Sequence, residues 1–134
     1  MPVTRARKPV SEWTDPRHRK GYAGERLAIQ YLRRAGWRIE AHRFRLGRHD
    51  LDLVARRGQL VLFIEVKTRQ SRRFGAPAES VGWRKRAVLS RVAEAWRQRF
   101  GSPADRYRFD VIAIEPGSTA PRVTHLADAW RVTP

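Results

Sequence analysis

Asp52, Glu65 and Lys67 are residue types that can work on a phosphodiester, and they stand in apolar company. The stretch DLDLVARRGQLVLFIEVKTR, residues 50–69, holds two apolar runs on either side of Gly58. One run carries Asp50 and Asp52, and the other ends in Glu65-Val66-Lys67. Side chains alternate along a strand, so Glu65 and Lys67 project from one face, and so do Asp50 and Asp52. A tight hairpin at Arg57-Gly58 would pair the two runs and bring Asp52 near Glu65. Two carboxylates and an ammonium would then converge at one end of a sheet. Paired carboxylates suit a hard divalent cation, Mg2+ or Mn2+, which prefers oxygen ligands and keeps several waters. Such an ion binds a phosphodiester oxygen, lowers the pKa of a water and stabilises the leaving oxygen. Lys67 could orient or deprotonate that water, or offset the growing charge. Without a metal the two carboxylates repel, and one should have a raised pKa. The plainer reading of E-x-K alone is a strand end emerging into water, with an ion pair worth little. An Asp, a hairpin turn, an apolar run and then E-x-K make a more specific set.

The elements that must position these residues are legible from periodicity. Gly21 to Ala35 reads as a helix, with Ala23, Leu27, Ala28, Tyr31, Leu32 and Ala35 on one face and Gly36 as its stop. Trp37, Ile39 and Ala41 then alternate with polar residues as a half-buried strand, and the apolar phase flips at Phe44 and Leu46, the mark of a bulge or a strand end. Leu51, Leu53 and Ala55 form one face of the next strand. Leu60 to Lys67 is apolar on both faces until its last residues, as in a central strand covered on both sides. A loop, residues 70–78, precedes a second helix from Val81 to Phe100 that buries Val88, Leu89, Val92, Trp96 and Phe100. Strands follow at Tyr107 to Ile114 and, more weakly, Val123 to Leu126. The order α-β-β-β-α-β-β predicts an α/β fold, a mixed central sheet flanked by helices, with the third and fourth strands as parallel neighbours. Residues 1–19 read as a basic tail, and residues 20–134 as a single domain.

Charge narrows the partners. Lys and Arg total 29 against 13 acids in 134 residues, a net charge of +16. A globular chain this basic attracts polyanions, DNA above all and RNA as the alternative. Coding bias toward arginine is the bland explanation. No amphipathic lysine-rich helix of the membrane-binding kind appears, and no apolar run is long enough to span a bilayer. With no cysteine and no secretory leader, the expectation is a cytoplasmic protein without disulfides or thiolate metal sites. Arg69, Arg72 and Arg73 after E-x-K, and Arg84, Lys85 and Arg86 opening the second helix, are candidate phosphate contacts; a solvated basic face is the alternative. Trp83, Trp96 and Trp130 read as packing, while Trp13 and Trp37 could stack on bases. Asp110, inside an apolar strand, reads as a salt bridge or a backbone hydrogen bond.

GERLAIQYLRRAGWRI, HDLDLVARRGQLVLFIEVKTR and RFDVIAI together resemble the YraN-type family of small bacterial proteins, over about residues 20 to 128. That family is similar to the PD-(D/E)-x-K nucleases, close to archaeal Holliday-junction resolvases. The resemblance implies a restriction-endonuclease-like core with a metal at the sheet edge. It assigns Asp52 as the motif aspartate, Glu65 as the second acid, Lys67 as the motif lysine and Glu25 as an acid beside the metal. For Glu25 the residue-level alternative is an acid favoured near a helix N-terminus. Where the family usually reads G-E-I-D-L-I, this chain has His49-Asp50-Leu51-Asp52-Leu53-Val54. Asp50 is thus either a further metal ligand or a partner for nearby arginines, and His49 either a ligand or a plain polar residue. Two functions follow as expectations: a metal-dependent endonuclease acting on DNA, branched or otherwise structured, or a nucleic-acid-binding module that keeps the fold without the chemistry. Cutting both strands of a junction would suit a homodimer.

Overall fold

The computed structural model describes residues 16–69 and 82–131. Arg72, Arg73 and Trp13 lie outside them. The elements run α1 (Pro16–Arg34), β1 (Arg38–Leu46), β2 (His49–Arg57), β3 (Leu60–Thr68), α2 (Trp83–Phe100), β4 (Arg106–Glu115) and β5 (Arg122–Trp130). The strands form one sheet in the order β1-β2-β3-β4-β5. β3 and β4 are parallel and the other neighbours antiparallel. This is the expected α/β architecture, with α2 in the crossover that two parallel neighbours require.

Helix α1 starts at Pro16 rather than Gly21. Proline suits a first helical position, and the polar residues after it carry no apolar repeat for periodicity to detect. The helix stops as Gly36 allows. Gly36 adopts φ 90, its N–H reaches Arg33 O at 3.1 Å, and Trp37 N–H reaches Leu32 O at 2.9 Å. This pair of bonds satisfies carbonyls that the last turn leaves open.

The two helices cover opposite faces of the sheet. Ala28 and Leu32 of α1 pack with Leu53, Ala55, Leu62, Ile64, Ile112 and Ile114. Leu89, Val92, Ala93 and Trp96 of α2 pack with Val54, Val61, Phe63, Phe109 and Val111. β3 therefore alternates, with Val61 and Phe63 toward α2 and Leu62 and Ile64 toward α1, which explains its apolar composition on both faces. Burial of these side chains contributes about 25 cal/mol per Å2 of apolar surface, and it holds the strand ends that carry the charged residues.

Several local expectations are corrected. The hairpin turn is Gly58-Gln59, since Arg57 pairs with Leu60, and Gly58 takes φ 61. Leu51 does not share a face with Leu53 and Ala55: it packs in the α2 cluster and they pack in the α1 cluster, so strict alternation breaks around Asp52. In β1 the phase change is a bulge between Ile39 and Ala41, and Arg43 adopts φ 57 further on. Ala41 thereby joins Phe44 on the α2 side. Trp83 is not packing residue but solvent-facing, 74% exposed. Trp37 is buried under the Arg57 guanidinium, 4.2 Å from the ring centre, and so is not placed to stack on a base. β5 continues to Trp130, whose ring stacks on Phe109. No helix among the described residues is long and apolar enough to cross a membrane.

Candidate active site

Pairing between β2 and β3 ends at Leu53 and Ile64. The next residues on the two strands are Asp52 and Glu65. The backbone N–H of Val66 donates instead to Asp52 Oδ2, at 2.8 Å. A side chain thus replaces the strand ladder where the two carboxylates face each other. By the alternation of β3, Glu65 and Lys67 both lie on the α2 side. Lys67 Nζ is 4.0 Å from Glu65 Oε1.

A second lysine enters from α2. Lys85 Nζ lies 2.8 Å from the same oxygen, Glu65 Oε1. Glu65 is buried, and its other oxygen, Oε2, is enclosed without a hydrogen-bond partner. Sequence reasoning placed Lys85 on a phosphate-binding helix face and missed this contact. The signal was the helical phase: Lys85 lies one turn before Leu89, the first fully buried residue of α2, and so points toward the sheet.

The electrostatics follow from this crowding. Asp52 keeps part of its surface open to solvent, but it is densely surrounded. That desolvation, with the nearby charges of Glu65 and Glu25, pushes its pKa well above the usual aspartate range. Burial, then the positive charge of Lys85, lowers the Lys67 pKa. Burial also pulls on Lys85, but the Glu65 carboxylate outweighs it and raises that pKa.

Glu25 and Asp50 are engaged by arginines. Arg43 binds Glu25 through two bonds, Nε to Oε1 at 2.8 Å and Nη2 to Oε2 at 2.9 Å, and His42 Nε2 lies 2.6 Å from Oε1. Burial opposes ionisation of Glu25, but these bonds from His42 and Arg43 outweigh it and lower its pKa. Because α1 begins at Pro16, Glu25 sits in the body of the helix, and the helix-terminus explanation does not apply. Asp50 pairs with Arg45 at 3.4 Å. His49 is exposed at the start of β2. Arg69 is half-buried and Arg84 exposed. Among the described residues no three His, Asp or Glu side chains are gathered so as to hold a metal ion. The acids that face each other are Asp52 and Glu65.

Asp110 has the structural surroundings its sequence context suggested. It is fully buried and accepts two bonds from Arg108, at 2.8 and 2.9 Å, and the backbone N–H of Asp128 at 2.9 Å. His125 Nε2 lies 2.6 Å away.

A profile described as "Uncharacterised protein family UPF0102" matches residues 24–114, which include Glu25, Asp52, Glu65, Lys67 and Lys85. The chain belongs to this family. It is the YraN-type family that the sequence resembles. A UPF0102 protein of Symbiobacterium thermophilum is 42% identical over 99 residues, 74% of this chain and 84% of the relative. One from Geobacter sulfurreducens is 39% identical over 125 residues, 92% of this chain and 98% of the relative. One from Nocardia farcinica is 42% identical over 108 residues, 79% and 84% of the two chains.

Proposed function

We propose that this chain is a metal-dependent nuclease of the PD-(D/E)-x-K type that hydrolyses DNA phosphodiesters, with branched or otherwise structured DNA as the substrate class. One observation carries the reading: Asp52 and Glu65 face each other at the end of β2 and β3, with Lys67 4.0 Å from Glu65 Oε1. A stable core does not need two acids side by side, because the pair opposes its own ionisation.

The residues fit a small divalent cation. Glu65 Oε2 is enclosed without a hydrogen-bond donor, and Asp52 is held in place by Val66 N–H. Mg2+ is commonly bound by one or two carboxylates together with waters and substrate phosphates. Asp52 and Glu65 would hold the ion, and Mn2+ would serve as well. Once bound, it supplies Lewis acidity toward a phosphate oxygen and toward a water. Lys67, its pKa lowered by burial and by Lys85, is suited to take a proton from a water or to position it. The net charge of +16 draws the anionic backbone to this edge, with Arg84 exposed on the same helix as Lys85.

Cleavage tests the reading. Linear, nicked and four-way-junction DNA are incubated with the protein and Mg2+ or Mn2+, beside Glu65→Ala and Lys67→Ala. Cleavage that both variants lose supports catalysis, and wild type no faster than the variants on every substrate rejects it.

A second reading keeps the fold and the binding without hydrolysis. It is favoured by the engagement of Glu25 with Arg43 and of Asp50 with Arg45, which leaves two facing acids. It expects salt-dependent binding of DNA or RNA that survives loss of Glu65 and Lys67. Competition between the two nucleic acids names the partner.

A further inference from the structure

Lys85 is bound where a metal ligand should be open. Its ammonium donates to Glu65 Oε1 at 2.8 Å, while Lys67 approaches the same oxygen at 4.0 Å. Once both carboxylates are ionised to hold a metal, they only balance the two ammoniums. A divalent cation added to that set leaves two positive charges in excess within a crowded space, so one ammonium must withdraw. Lys67 is the less able to leave. It lies in the central strand β3, paired on one side with β4, and its side chain is 22% exposed. Lys85 sits in the first turn of α2 with 44% of its side chain exposed, on a flexible four-carbon stem.

We propose that Lys85 is the resident counter-ion of the Asp52–Glu65 pair, displaced by the incoming divalent cation and thereby released to bind a substrate phosphate. This inference rests on the metal-binding reading above and adds an exchange step to it. One ammonium serves two anions in turn. In the free protein it relieves the repulsion around Glu65. In the loaded protein it stands at the mouth of the site, beside the exposed Arg84, facing the polyanion. Metal binding and DNA binding are then coupled through a single side chain, each favouring the other, because DNA stabilises the position that Lys85 must adopt to make room.

The test is calorimetric titration of the full chain with Mn2+ alone, for wild type, Lys85→Met, Lys85→Arg and Glu65→Gln. Lys85→Met keeps the length of the side chain and removes the competing charge. It is expected to bind Mn2+ about fivefold more tightly than wild type, the effect of a competing partly exposed ion pair worth about 1 kcal/mol. Lys85→Arg restores the wild-type affinity. On a short duplex with saturating Ca2+, Lys85→Met binds more weakly than wild type and its log-affinity against log-salt slope falls by about one. Metal affinity and DNA affinity moving in opposite directions is a result that a merely structural lysine does not give. Equal or weaker Mn2+ binding by Lys85→Met overturns the exchange while leaving the metal site standing. If wild type and Lys85→Met both bind Mn2+ no better than Glu65→Gln, the metal reading itself falls, and the exchange with it. Circular dichroism of each variant separates these outcomes from misfolding.

Discussion

Asp52 Oδ2 accepts the backbone N–H of Val66 at 2.8 Å and so bridges β2 to β3, one residue beyond the last pair on β2 and two beyond it on β3. The bond fixes the carboxylate beside Glu65 and closes a backbone donor that strand pairing has abandoned. Its cost is electrostatic, since crowding and the charges of Glu65 and Glu25 hold the Asp52 pKa well above the ordinary value. An acid whose folded pKa is raised binds its proton more readily folded than unfolded. Its contribution is therefore fully present at low pH and is lost as pH rises from the ordinary aspartate range through the raised value. Without metal, the midpoint of thermal unfolding should fall over that window. Asp52→Asn keeps the acceptor for Val66 N–H and should flatten the decline, raising the melting temperature near pH 8 by several degrees. Asp52→Ala loses the acceptor and should gain less, because the Val66 amide is then unsatisfied. Melting curves from pH 4 to pH 9 in chelator decide this, and a wild-type decline unchanged in Asp52→Asn counts against it.

Lys67 should govern the pH dependence of cleavage. Burial and the charge of Lys85 lower its pKa, so the neutral amine becomes available below the ordinary lysine range. As a proton acceptor it gives a rate that rises with pH through the lowered value and then levels. In the metal-loaded protein Lys85 has left Glu65, so burial remains the cause and Lys85→Met should leave that limb in place. Lys67→Met should lose about a hundredfold or more in rate while binding DNA nearly as before. A limb that moves to higher pH in Lys85→Met would put the Lys85 charge beside Lys67 during turnover and counts against its release.

Why the fold could be read from the chain, and parts of the site could not, is a matter of range. Alternation in Leu60–Thr68 and the three-and-four spacing in α2 are set by the nearest neighbours along the chain, so they survive in the sequence. The approach of Asp52 to Glu65 was also legible, because only one turn lies between them. The pairing of Arg43 with Glu25 was not. It depends on the left-handed backbone at Arg43, on a bulge two residues earlier, and on where α1 lies over the sheet. Leu51 fails for the same reason: the break in alternation falls at Asp52, whose side chain takes Val66 N–H from the neighbouring strand, a tertiary contact. Residue type alone reads Trp83 as packing, whereas its place at the exposed first residue of α2 decides otherwise.

Gly24 sets how closely α1 approaches β3. A Cβ there would collide with Thr68 Oγ1 and touch Ile114 Cγ1. Glu25 is the next residue, so the same approach sets its height above the sheet. Gly24→Val should destabilise the protein by about 1–3 kcal/mol through overpacking. Gly24→Ala gains up to about 1 kcal/mol of helix propensity, which partly offsets the clash. Thr68→Ala removes the colliding oxygen and should recover much of the loss in the double variant. Denaturant melts of the four proteins form a double-mutant cycle, and additive losses at the two positions reject the contact.

Asp110 is the centre of a lock between α1 and β5. Tyr31 Oη lies 2.9 Å from His125 Nδ1, and His125 Nε2 lies 2.6 Å from Asp110 Oδ2, so helix, strand and buried acid form one chain of hydrogen bonds. Burial opposes the charge of Asp110, but the bonds from His125, Arg108 and the Asp128 amide outweigh it, and its pKa is lowered. A lowered carboxylate stabilises the fold above its unfolded pKa, and that contribution is lost as pH falls through the folded value. Acid unfolding should therefore begin below the ordinary aspartate range and draw on this residue. Asp110→Asn leaves Arg108 half-buried without its anion and should cost about 3 kcal/mol at pH 7. The loss relative to wild type should shrink as pH falls below the ordinary aspartate range, because the unfolded wild type then takes up a proton that folded Asp110 resists. Tyr31→Phe removes a single neutral bond and should cost about 1 kcal/mol. Chemical melts at pH 7 and pH 3 measure all three proteins. A cost for Asp110→Asn that is the same at both values means that ionisation of Asp110 does not stabilise the fold.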